Sequence, residues 1–271
     1  MQYLLLVIII FISAASHAEN MPSRMRDIQL SPQEAQIISD RIFQNECAGK
    51  HECLVSWNEG EAFPSLGIGH FIWYPQNHQG PFFESFPALI DFFRKNGVAL
   101  PHSIANLDPF EAPWPTRDHF LAVKNSESVT ELRAFLAKHQ TLQVNFMVTR
   151  CVKALQRIVA SSDSKEQQQL THKINAITAS PLGLYPLIDY VNFKGEGLLD
   201  TETYQSLGWG LKQVLQHMPA NVTAENALSE FAQAAKQVLW RRVNNAANPL
   251  EKSRWYPAWE NRINTYTQSQ I

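Results

Sequence analysis

Glu46 is the residue whose position argues most directly for chemistry. Ile38, Ile42 and Glu46 stand at i, i+4 and i+8, so on a helix the carboxyl continues an apolar stripe instead of joining the wet face. It also falls where the segment ends, and a helix C-terminus disfavours negative charge. Both features favour the protonated form from which a general acid starts. The competing arrangement is a frayed last turn with Glu46 in water. Further along, Glu61, Ser65, Gly67 and Gly69 alternate with Leu66, Ile68 and His70. On an unbulged strand the first set shares one face and the second set the other. Glycines on the Ser65 face let a ligand approach the backbone closely, so a carboxylate, a hydroxyl and bare backbone are expected to point the same way.

These groups need elements to hold them. Ser31-Pro32-Gln33-Glu34 combines an N-cap serine, a proline at the first helical position and a glutamate at the reciprocal position, which predicts a helix from Pro32 to about Glu46. Cys53 to Trp57 and Phe63 to Tyr74 are rich in β-branched and aromatic residues, and Asn58-Glu59-Gly60 supplies turn chemistry between them, which predicts a β-hairpin. One helix is expected at Phe86 to Asn96, ended by Gly97. Ser128-Val129-Thr130-Glu131 repeats the capping-box pattern, and helices are predicted at 141–160, 163–178, 182–191, 205–217, 224–244 and 255–266. The fold class is α+β and mostly helical, with a hairpin lobe over about 30–100 packed on a helical lobe over about 126–271. A groove between the lobes is the expected ligand site.

Composition narrows the function. The 271 residues carry 23 Lys+Arg against 25 Asp+Glu, a near-neutral balance that argues against nucleic acid as a partner. Leu4 to Ile12 followed by Ser13-Ala14-Ala15-Ser16-His17-Ala18 reads as a signal peptide over 1–18, leaving 19–271 as one unit. The apolar run is about half of the roughly 20 residues a membrane span needs, so no stable membrane insertion is expected after cleavage. Three cysteines are too few for a disulfide scaffold. In an oxidising compartment Cys47 and Cys53, six positions apart, are predicted to pair, leaving Cys151 as a small core hydrophobe on a helical stripe. None of the nine histidines forms a His-x-x-x-His or His-Glu-x-x-His pattern, so no metal and no cofactor is expected.

A helix ending in Glu46, a hairpin, and Ser65-Leu66-Gly67-Ile68-Gly69-His70 together resemble the phage-type lysozymes, whose second hairpin strand reads Thr-x-Gly-x-Gly-His. The resemblance covers about residues 32–70. It implies a lysozyme-like fold and cleavage of the glycan strand of peptidoglycan, with Glu46 as general acid, Ser65 holding a water beside the sugar and His70 as a structural residue behind the strand. The family's aspartate, six places before its threonine, falls on Glu59, and the connection after Glu46 is longer here. Either Glu59 or Glu61 could replace that aspartate, and strand parity favours Glu61. Trp57, Trp73 and Tyr74 flank the hairpin and would either stack on sugar rings or fill its hydrophobic side. Asn192 and Lys194, in a polar glycine loop after a helix, are groove candidates for sugar hydroxyls or a solvated loop. Trp255, Trp259 and Arg262 share a helical face that reads as core packing. The expected protein is a secreted or periplasmic glycoside hydrolase acting on peptidoglycan. Its rivals are a lytic transglycosylase using one glutamate and a catalytically silent wall-binding module of the same fold.

Overall fold

The computed structural model describes residues 29–80 and 82–268, so the segment read as a signal peptide lies outside the described residues. Helix α1 (Pro32–Cys47) opens as its sequence demands. Ser31 Oγ accepts from the Glu34 N–H at 3.2 Å, and the Glu34 carboxylate accepts from the Ser31 N–H at 2.9 Å. It closes at Ala48, which takes the left-handed conformation (φ 48°). Ala35, Ile38 and Ile42 are buried along one stripe, which drives α1 onto α6 (Gln140–Ala160), the longest helix among the described residues.

The expected hairpin is a small antiparallel sheet of three two-residue strands, β1 (Val55–Ser56), β2 (Ser65–Leu66) and β3 (Phe71–Ile72), in the order β1-β2-β3. Val55 faces Leu66, which in turn faces Phe71. The unbroken strand predicted from Phe63 to Tyr74 therefore does not form, because residues 67–70 make a tight turn between β2 and β3. Gly67 requires it: its φ is 70°, and a Cβ there would collide with the Gln143 side chain. Gln143 is fully buried on α6. Its Oε1 accepts from Ile68 N–H at 2.9 Å and its Nε2 donates to Leu136 O at 2.7 Å, which fastens the turn to the helical part of the molecule.

The remaining elements are mostly helical: α2 (Phe86–Lys95), α3 (His102–Ala105), α4 (Arg117–Val123), α5 (Glu127–Lys138), α6 (Gln140–Ala160), α7 (Ser164–Ala179) and α8 (Leu184–Lys194), then α9 (Leu211–His217), α10 (Ala227–Asn245) and α11 (Tyr256–Asn264). The α+β, mostly helical reading holds. Helix α6 packs against α1, α2, α7 and α8, and one hydrophobic cluster runs continuously from Ile38 to Tyr266. Two expectations change. Helix α5 is capped by Ser126, not Ser128, and Glu131 instead accepts from the backbone N–H groups of His102 and Ser103 at 3.1 and 2.9 Å. The helix predicted at 205–217 begins only at Leu211. Before it, β4 (Thr203–Tyr204) and β5 (Leu207–Gly208) form a hairpin whose turn residues Gln205 and Ser206 both have positive φ, the primed-turn geometry that suits the twist of paired strands. Among the described residues no helix is long and apolar enough to cross a membrane.

Candidate functional site

Glu46 does continue the buried stripe of α1, and its side chain is 13% exposed. Its surroundings are charged instead of apolar. Oε1 accepts from Arg262 Nη2 at 2.5 Å, and Oε2 lies 3.5 Å from His70 Nδ1. Arg262 reaches in from α11 and is anchored behind Glu46 by Asp189 of α8, with Nε and Nη2 each 2.8 Å from one carboxylate oxygen. Asp189 is fully buried and also accepts from the Tyr266 hydroxyl at 2.7 Å. The guanidinium lies over the Phe193 ring, 4.2 Å from its centroid. Burial opposes the charge of Arg262, but Asp189 and then Glu46 outweigh it and hold the group well above the ordinary arginine range. Burial, followed by Asp189, pushes the Tyr266 hydroxyl well above the ordinary tyrosine range, so that it serves as a proton donor.

A disulfide between Cys47 and Cys53 ties the end of α1 to the 3₁₀ turn His51–Leu54, as predicted, and Cys151 is free and buried. Cys53 Sγ is 3.2 Å from His70 Nε2, so the histidine is held between the disulfide and Glu46. His70 has φ 47° and its side chain is 29% exposed. It therefore does not stand behind a strand but looks into the same space as Glu46, a correction that follows from the 67–70 turn. The two sulfurs and the His70 imidazole lie within 4.8 Å of one another. Joined in a disulfide, the sulfurs are not the thiolates a metal needs.

Glu46, Gly69, His70, Ile72, Phe82, Phe83, Ser85, Arg150, Asn192, Phe193 and Arg262 line a cleft of about 400 Å³. Asn192 is there as expected, with Nδ2 3.4 Å from Gly69 O. Most of the other expected partners are elsewhere. Glu61 lies outside the lining; its carboxylate accepts from Asn58 Nδ2 at 3.2 Å and its carbonyl from Trp57 Nε1 at 2.8 Å. Ser65 is buried and pairs with Ser56 and Ile72 within the sheet. Shared strand parity, which linked Glu61 and Ser65 to the ligand, has no continuous strand to act along. Trp57 packs on Phe120, and Trp73 is fully buried against Phe86, Phe110 and Trp114. Tyr74 stacks edge-on against Phe63 beside a separate cavity. All three aromatics thus fill the hydrophobic side of the sheet. Lys194 is not part of the cleft lining; its Nζ lies 3.2 Å from the centroid of the Trp259 ring and 4.0 Å from that of Phe193. Burial, reinforced by Arg242 and Arg262, holds its amine well below the usual lysine range.

Sequence reasoning missed Arg262, Phe82, Phe83 and Arg150. Arg262 was read as part of a packing face, and the signal was there: a cation three residues after Trp259 on an otherwise aromatic stripe. Phe82 and Phe83 are 59% and 70% exposed at the cleft, and an adjacent phenylalanine pair after Pro81 in a loop was the available sign. For Arg150 helical periodicity offers none. No protein-family model, no curated protein and no solved structure matches this chain.

Proposed function

We propose that this protein cleaves the glycan strand of peptidoglycan, in the manner of a lysozyme-like glycosidase with Glu46 as its single general acid. The observation that carries the reading is that Glu46 is the one carboxylate among the described residues lining the cleft. Around it stand exposed aromatic faces on Phe82 and Phe83 and the Asn192 amide, groups suited to the apolar faces and hydroxyls of sugar rings.

One carboxylate favours the non-hydrolytic route. Glu46, protonated, gives its proton to the glycosidic oxygen as the bond to the anomeric carbon breaks, and the leaving sugar departs as an alcohol. A hydroxyl of the sugar that keeps the anomeric carbon then closes on that carbon and returns its proton to the Glu46 carboxylate. No water is consumed and the fragment ends in an anhydro-sugar, the reaction of a lytic transglycosylase. Hydrolysis with Glu61 as base would need a second carboxyl about 6.5–9.5 Å across the sugar, and Glu61 does not border the cleft. The Cys47–Cys53 disulfide supports a secreted or periplasmic setting, where peptidoglycan is found.

Incubation of the purified protein with peptidoglycan sacculi, followed by mass analysis of soluble fragments, tests the reading. Anhydro ends, unaffected by Glu61→Gln, are expected. Water-added ends together with a loss of about 10²–10⁴ in Glu61→Gln would restore hydrolysis with a general base. Binding without any release would leave a silent wall-binding module.

A further inference from the structure

Arg150 sits at the midpoint of α6 and lines the Glu46 cleft. Among the described residues its guanidinium has no hydrogen-bond acceptor and no ion-pair partner, in contrast to Arg262, which is paired with both Asp189 and Glu46. The acidic group that acts on it is Glu196, but both oxygens of Glu196 are taken by Arg157, one through Nε at 2.9 Å and the other through Nη2. Burial disfavours the charge of Arg150; Glu196 offsets part of this and Arg157 adds to it, so the group is held below the ordinary arginine range. A partly desolvated cation facing an open cleft lacks the acceptor that would compensate it.

We infer that Arg150 is a specificity-determining residue that receives a carboxylate of the glycan substrate, so that the cleft selects acidic strands over neutral ones. This rests on the glycan reading of the site. Its planar fork matches a carboxylate through two parallel N–H···O bonds. With Arg262 neutralised by Asp189 and Glu46 carrying the proton its role as acid requires, Arg150 supplies one uncompensated positive charge for one negative group. On a peptidoglycan-type strand that group is either a free lactyl carboxylate on the sugar or a carboxylate of the attached stem peptide.

The test measures binding to the full chain carrying Glu46→Gln, so that cleavage does not consume the ligand. The ligands are neutral N-acetylglucosamine oligomers, peptide-free strands with free lactyl carboxylates, peptide-bearing strands, and the last with their carboxylates amidated. An acid-over-neutral preference of roughly 10- to 100-fold is expected at low salt, the range of a charge-assisted hydrogen-bonded pair, and it should shrink as salt rises. Adding Arg150→Gln should collapse that ratio towards one, and Arg150→Lys should retain only part of it; the neutral oligomers report whether each variant keeps a folded cleft. Preference for peptide-free strands identifies the lactyl group as the source, and preference abolished by amidation identifies the peptide. A ratio near one in the parent, or a ratio that Arg150→Gln leaves untouched, overturns the inference. Cleavage by the wild-type chain is scored separately. Strands cut without any Arg150-dependent preference sink this inference alone, an Arg150-dependent preference without cutting sinks the glycosidase reading alone, and no binding to any strand sinks both.

Discussion

Arg262 and Asp189 form a two-point ion pair, 73 residues apart in sequence, whose free edge is turned onto Glu46. A guanidinium in that position cannot swing away from the glutamate without breaking two bonds to a carboxylate that has no access to water. The candidate acid is thus held by an anchored partner from the far end of the chain.

Asp189→Ala is therefore expected to destabilise the protein by about 3–5 kcal/mol, because it takes two of the bonds of the buried Arg262 guanidinium, leaving it only Glu46, and strands the Tyr266 hydroxyl in a buried space. Asp189→Asn should cost less, since an amide oxygen still accepts one bond. Urea denaturation followed by circular dichroism measures both, and equal losses in the two variants would show that the charge and not the acceptor geometry matters.

Glu46→Gln should retain the fold, since Arg262 stays anchored on Asp189, while release of fragments from sacculi falls to background. The melting curve and the release assay are run on the same preparation. Cleavage at anything near the wild-type rate in a folded Glu46→Gln protein would remove the residue from the chemistry.

Phe83→Ala removes a ring that is 70% exposed, so its effect on stability should lie within about 0.5 kcal/mol. Loss of an aromatic contact should weaken glycan binding by roughly 2- to 10-fold. Titration with soluble strands detects this as a change in Kd with an unchanged melting temperature.

Thiol chemistry offers a check that needs no substrate. Alkylation of the native protein should label no cysteine, unfolding should expose Cys151 alone, and unfolding with a reductant should label all three. Burial, with a smaller contribution from Glu196, pushes the Cys151 thiol up to about 12 from an ordinary value of 9.0. An unfolded chain then releases this proton as pH passes 9 while the folded chain keeps it. The stability this group contributes is complete below pH 9 and is lost as pH rises towards 12. Cys151→Ala should flatten that part of the stability–pH curve. Native labelling of Cys151 at pH 8 would contradict its burial.

Short-range patterns proved legible. Ser31, Pro32 and Glu34 set the start of α1, the spacing of Ile38, Ile42 and Glu46 set the buried face, and the six-residue separation brought Cys47 within reach of Cys53. Capping, period and loop closure act over a few residues, so the order of side chains alone determines them. That Glu46 would end a buried stripe was therefore visible in the sequence, and what it would meet there was not. Parity arguments failed at Ser65 and Glu61 because Gly67, driven into a left-handed turn by Gln143 from 76 residues later in the chain, interrupts the strand along which parity would have run. Arg262, Asp189, Arg150 and the phenylalanine pair come to Glu46 from separate elements, brought together by one continuous core. No local pattern encodes such an encounter: it depends on which apolar faces bury one another, and that choice is made only when the whole chain packs.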